Sequence, residues 1–162
     1  MKILVAYYSR TGRTKKIAEE ISAKLGGDID EIRDEVNRQG LVGWLRAGRD
    51  AGSKKLTEIK SQIDPSEYDL VVIGSPTWNG TVSTPVRTYI TNNQEKLSKV
   101  ASFTTGEGEE PTALEEITRL LGDKIIAKLH LVRKLEIDTD NYLYKLQGFL
   151  EKIDAVHKRL NL

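Results

Sequence analysis

YYSRTGRTKK, residues 7–16, closes an apolar run and opens a helical one. Upstream, Ile3-Leu4-Val5-Ala6-Tyr7-Tyr8 is apolar throughout, the pattern of a strand buried on both faces in a parallel sheet. Downstream, Ile17, Ile21 and Leu25 recur at helical spacing, with Thr14 as the expected N-cap and Gly26-Gly27 as the expected stop. Between the two, Ser9, Thr11 and Thr14 offer hydroxyls beside backbone N–H groups and the positive end of a helix, the ingredients of a phosphate site. The spacing is neither that of a P-loop nor the Gly-x-Gly-x-x-Gly dinucleotide fingerprint. A ligand-free capping turn would draw on the same residue types.

The strand, polar turn and helix recur along the chain. YDLVVIG (68–74) and KVASFTT (99–105) read as further buried strands, and each precedes a helical segment: PVRTYITNNQEKL (85–97) and PTALEEITRLLG (111–122), with Pro85 and Pro111 in the first turns. DIDEIRDEV (28–36) supplies the second strand, DKIIAKLHLVRKLEI (123–137) alternates as the last one, and NYLYKLQGFLEKIDAVHKRL (141–160) sets Tyr142, Leu146, Phe149, Ile153 and Val156 on one helical stripe. Right-handed crossovers then leave few alternatives to a three-layer, doubly wound, five-stranded parallel α/β sheet with helices on both faces. One domain spans residues 1–162. Within it, GLVGWLRAGRDAGSKK (40–55) is an insertion, in which Leu41, Trp44 and Leu45 share one side of a short helix: a lid, a dimer contact or a local cap.

Composition narrows the function. The chain has no cysteine, which excludes disulfides, thiolate metal sites and cysteine nucleophiles. With 25 Lys+Arg against 24 Asp+Glu the formal net charge is +1, too balanced to steer the protein to nucleic acid. The first apolar run is too short for a signal-peptide core or a membrane span, so the expected location is the cytoplasm. His130 and His157 form no metal spacing, and neither is assigned to catalysis.

In open α/β sheets ligands bind beyond the carboxyl ends of the strands. The loop in GSPTWNGTVSTP (74–85) puts Trp78, a ring able to stack on a planar ligand or fold into the core, beside Asn79-Gly80, which enter positive φ cheaply. TTGEGEEPTALEE (104–116) has two glycines for close backbone approach, while its acids complement the dipole of the following helix.

Together these loops resemble those of the flavodoxin family over essentially the whole chain. Ser9-x-Thr11-Gly12-x-Thr14 is similar to the family's phosphate loop and Pro76-Thr77-Trp78-Asn79 to its first flavin loop. The resemblance implies the strand order 2-1-3-4-5 and non-covalent FMN. Its phosphate would lie against the hydroxyls of Ser9, Thr11 and Thr14 and the backbone from Arg10 through Gly12 and Arg13 to Thr14. Trp78 would stack on the isoalloxazine, and Asn79-Gly80 would supply a carbonyl that turns towards N5 on reduction. Backbone groups of Thr104, Thr105, Gly106, Glu107 and Gly108 would meet the pyrimidine edge, with Glu107 opposing the anionic reduced ring. The third loop departs from the family in having no aromatic residue, which makes Trp44 a candidate cover for the other face.

The implied function is an electron carrier between redox partner proteins, a reductase and an acceptor, acting as a monomer or weak dimer with no nucleic-acid or membrane partner. An FMN-dependent NAD(P)H:quinone-type oxidoreductase is the alternative. A phosphoacceptor receiver is disfavoured, because Tyr7-Tyr8-Ser9 and Ile73-Gly74-Ser75 stand where its acidic residues would be needed.

Overall fold

A computed structural model describes residues 1–160. In chain order the elements are β1 (Ile3–Tyr7), α1 (Arg13–Leu25), β2 (Asp28–Glu31), β3 (Arg33–Asp34), α2 (Gly40–Gly52), β4 (Ile59–Lys60), β5 (Leu70–Trp78), β6 (Thr81–Val82), α3 (Thr84–Asn93), β7 (Lys99–Gly106), α4 (Thr112–Leu121), β8 (Ile125–Val132) and α5 (Leu143–Leu160). Five strands pair in parallel in the order β2-β1-β5-β7-β8, which is the doubly wound 2-1-3-4-5 arrangement expected from the sequence. Two short antiparallel pairings, β5 with β6 and β3 with β4, add to it.

Uniformly apolar strands need cover on both sides, and two separate cores supply it. Ile17 and Ile21 of α1 join Phe149 and Ile153 of α5 on one side of the sheet. On the other side Ala47 of α2, Tyr89 of α3 and Ile117 of α4 pack together. Gly74, inside the central strand, is required by packing: a Cβ there would lie 2.2 Å from Phe103 Cζ on the neighbouring strand.

Several boundaries differ from the sequence reading. Gly12, not Thr14, occupies the N-cap of α1; at φ 89° it takes a left-handed turn that glycine adopts without strain, and Thr14 falls inside the helix. Gly26 ends α1 at φ 62°, its N–H donating to the Ser22 carbonyl. Helix α3 stops at Asn93, and α4 starts at Thr112 with Pro111 as its N-cap. The last strand stops at Val132, because residues 133–137 wind into a wide helical turn. Glu136 stabilises that turn by accepting the Val132 N–H at 2.7 Å. Tyr142, Leu146, Phe149 and Ile153 form the buried stripe of α5, with Tyr142 just before the helix and Val156 half-buried. No helix among the described residues is long and apolar enough to cross a membrane.

Candidate functional site

The carboxyl ends of β1, β5 and β7 surround two adjoining cavities, of about 520 Å³ and 220 Å³, which share Trp44, Thr77, Trp78, Gly106 and Glu107 as walls. The smaller cavity is the cationic one, with Arg10, Arg13 and Arg133 beside Thr11, Thr14, Pro76 and Thr105. Asn79, Gly80, Gly108 and His130 line the larger one, together with Trp44 and Leu45 of α2.

The β1–α1 turn shapes the cationic cavity. Ser9 lies outside the cavity wall; its Oγ accepts the Gly12 N–H at 3.1 Å and braces the turn from within. Gly12 also lies off the wall, and its left-handed conformation starts the helix. The first-turn N–H groups of α1 have no partner inside the helix, which leaves them for an anion. Thr14 Oγ1 and Thr105 Oγ1 are 2.9 Å apart and buried, so one hydroxyl donates to the other and a single proton remains to face a ligand. Thr11 Oγ1 accepts from Arg13 Nη1, which leaves its proton free. Arg13 also contacts Asp138 at 3.3 Å, whereas Lys15 and Lys16 are exposed and pair with Glu19 and Asp140.

A β-hairpin forms the far wall, since β5 runs on past Gly74 to Trp78 and turns back into β6. Asn79 at φ 47° and Gly80 at φ 70° make the turn, the conformation an Asn-Gly pair favours in a two-residue hairpin. Trp78 is only 8% exposed: its ring packs edge-on to Tyr8 with centroids 5.3 Å apart, and the Arg38 guanidinium lies 5.6 Å from it. Burial, with the negative charge of Asp34 adding to it, pushes the Tyr8 phenol up to about 12, so Tyr8 serves as a neutral packing partner. Trp44, by contrast, is 55% exposed and borders both cavities.

Helix α2 brings Trp44 there by burying small residues. A Cβ on Gly43 would sit 2.2 Å from the Arg38 carbonyl carbon, and one on Gly52 would sit 2.5 Å from Asn79 Nδ2. The helix thus lies close against both the Arg38 backbone and the hairpin. Arg38, 3% exposed, bonds to Asp34 and, at 2.8 Å, to Asp50. Burial alone would raise the Asp50 carboxyl, but the hydrogen bonds from Arg38 and Arg49 outweigh it and hold the group below the usual range. In a parallel arrangement Glu116 of α4 accepts from Arg87 at 2.9 Å, and Arg87 also donates to Thr81 Oγ1 on β6 at 3.1 Å, which braces the hairpin from behind.

The third loop departs most from expectation. Thr104 lies off both cavity walls, and Glu107, exposed, is ion-paired to Arg133 at 2.8 Å. Arg133 was hidden from sequence reasoning because it reads as one more residue of the alternating last strand. His130 was hidden too, since its contacts, to residues 22 and 26 positions earlier, leave no local pattern.

The residues present suit a flavin mononucleotide. Thr77 Oγ1 is buried without a hydrogen-bond partner on a residue that walls both cavities, and Gly106 lacks the Cβ that would crowd it at 3.1 Å. A cationic pocket opens directly into a larger, mostly apolar one, as a molecule with a phosphate at one end and a planar ring at the other requires. This is a doubly wound α/β protein built to hold a phosphorylated ring compound at its carboxyl edge. A family model described as Flavodoxin matches residues 2–121, and the chain belongs to that family. A Lactobacillus acidophilus flavoprotein in complex with FMN is 26% identical, with a TM-score of 0.63 over 85% of this chain and 97% of that one. Two more distant proteins share the fold: a Bacteroides eggerthii flavoprotein (24% identity, TM-score 0.71, 93% and 96% coverage) and a Streptococcus pneumoniae flavodoxin (17%, 0.59, 96% and 99%).

Proposed function

We propose that this flavodoxin is an electron carrier that passes electrons between redox partner proteins in the cytoplasm. Its cofactor is FMN, which supplies the redox chemistry when bound, while the chain binds and orients it. In this reading Thr11, Thr14 and the first-turn amides of α1 hold the phosphate, with Arg10, Arg13 and Arg133 neutralising its charge. The ring lies between the Thr77–Gly80 hairpin and the Gly106–Gly108 backbone. Trp44 covers the mouth, and the Trp78 edge completes the inner wall. What carries the reading is that the acid–base groups nearest the third-loop backbone are engaged: the His130 nitrogens are both hydrogen-bonded and Glu107 is ion-paired, while Glu110 stands exposed on the cavity wall. Groups held in this way position and tune a ring rather than pass protons to a second substrate.

The size of the larger cavity favours a second reading, an FMN-dependent NAD(P)H:quinone-type reductase. At about 520 Å³ it falls within the range of small-molecule sites, and the third loop brings no aromatic residue to fill it. Anaerobic titration of the FMN-loaded protein with dithionite and then NADPH, followed by visible absorbance, separates the two. A carrier is reduced by dithionite through a one-electron stage and is inert to NADPH. Rapid two-electron bleaching by NADPH identifies a reductase, and failure to bind FMN removes both readings.

A further inference from the structure

His130 lies on β8, beside the strand that ends in the third loop, and its imidazole spans that loop. Nδ1 is 2.8 Å from Thr104 Oγ1 and Nε2 is 2.9 Å from the Gly108 carbonyl oxygen. A carbonyl can only accept, so the nitrogen facing Gly108 carries the proton. In the tautomer protonated at Nε2 alone, Nδ1 accepts from the fully buried Thr104 hydroxyl, and the three groups satisfy one another. One side chain thereby ties the last part of β7 to the Gly108 carbonyl of the loop that follows.

Apart from the exposed Glu107–Arg133 ion pair, the loop has little else to hold it. The β7–β8 ladder ends where Gly106 pairs with Val132, and no backbone–backbone hydrogen bond of Glu107 or Gly108 is present among the described residues. Two glycines in so short a run leave the backbone many conformations to lose on ordering. Gly106 also sits close to the imidazole: a Cβ there would be 3.3 Å from His130 Cε1 and 3.1 Å from Thr77 Oγ1. The glycine lets the loop backbone fit between the histidine and the hairpin wall.

We infer that His130 is a positioning residue for the flavin ring: it fixes the Gly106–Gly108 backbone in the orientation that meets the ring's polar edge. This rests on the FMN reading above and adds to it a residue on the cavity wall that acts on the ring through the loop backbone. Because the histidine acts on the ring end and not on the phosphate end, its loss carries a specific signature.

The test is calorimetric titration of the apoprotein with FMN and with riboflavin, which has the ring but no phosphate, for wild type, His130→Ala, Thr104→Val and Thr14→Val. Melting temperatures and the midpoint potential of the bound flavin are recorded alongside. His130→Ala is expected to weaken both flavins by the same factor, about tenfold, and to shift the potential. Thr104→Val, which keeps the shape and removes only the partner of Nδ1, moves both flavins in the same direction by about threefold and covers the case in which His130→Ala does not fold. Thr14→Val, acting at the phosphate, weakens FMN and spares riboflavin. Nitrogen-15 spectra of wild type should show His130 protonated at Nε2. Unchanged affinity for both flavins in a folded His130→Ala protein, a loss confined to FMN, or a proton on Nδ1 would each overturn the inference while leaving the FMN reading intact. A wild-type protein that binds neither flavin would remove both.

Discussion

Trp44 and Trp78 are the chain's two tryptophans, and they meet the same cleft under opposite constraints. Trp78 is 8% exposed and locked between Tyr8 and Arg38, so most of its surface is already committed to the core. Trp44 is 55% exposed, and the flat area it keeps in water is available to a planar ligand. The roles therefore divide. Trp44→Ala should leave the melting temperature nearly unchanged and weaken FMN about tenfold, corresponding to about 1.4 kcal/mol, in a flavin-fluorescence titration. Trp78→Ala should lower the stability of the apoprotein by about 3–5 kcal/mol in urea denaturation, because it opens a cavity beneath Tyr8. Equal effects of the two changes on FMN affinity at unchanged stability would contradict this division. Sequence alone left Trp78 divided between a stacking ring and a core ring, since the contacts that decide it come from Tyr8 and Arg38, 70 and 40 positions away.

The inserted helix α2 shows what was legible in the chain and what was not. Its position before the central strand and its helical character follow from the spacing of Leu41, Trp44 and Leu45, yet these three residues face outward and the small residues face in. Hydrophobic patterning assumes that the largest apolar residues are buried; here close approach to the Arg38 backbone requires Gly43, and Ala47 and Ala51 are buried beside it. The same limit applies to residues 133–137. Their alternation continues the pattern of β8, but the Glu136 carboxylate takes the Val132 N–H, and the chain coils away with Leu135 exposed. Where strands are buried on both sides, as in β1, β5 and β7, the pattern is unambiguous, and the three loops that follow them were accordingly readable, whereas the strand order rested on the family resemblance. Gly43→Ala tests the account of α2. The new methyl group would meet backbone, which cannot rotate away, so the helix must shift; a loss of about 1–3 kcal/mol in denaturant melts is expected. Weaker FMN binding should accompany it as Trp44 moves with the helix. Full retention of both would mean that α2 is not held by this contact.

At the scale of the whole molecule, the two walls of the cleft are tied down by buried carboxylates. Asp50 holds α2 through Arg38, while Glu116 holds the β5–β6 hairpin through Arg87 and Thr81 and also lies 3.7 Å from Lys54, just beyond α2. Burial would by itself raise both carboxyl groups, but their arginine partners outweigh it and hold both below the ordinary values of 3.8 and 4.5. The sign follows from linkage. A carboxylate that protonates less readily in the folded chain than in the unfolded one adds stability above the unfolded value, and that stability disappears as the pH falls through the lowered folded value. Unfolding free energy should therefore decline from about pH 4.5 downward, as Glu116 and then Asp50 take up protons preferentially in the unfolded chain. Because the same two groups position the walls around the ring, acid should release FMN over the same interval in which it unfolds the protein. Parallel acid titrations of flavin fluorescence and far-ultraviolet circular dichroism check this. Asp50→Asn should flatten the acid slope of stability and, by weakening the hold of Arg38 on α2, lower FMN affinity even at neutral pH. Flavin release completed well above pH 4.5 in a fully folded protein would place the titrating group in the phosphate cavity and not in these anchors.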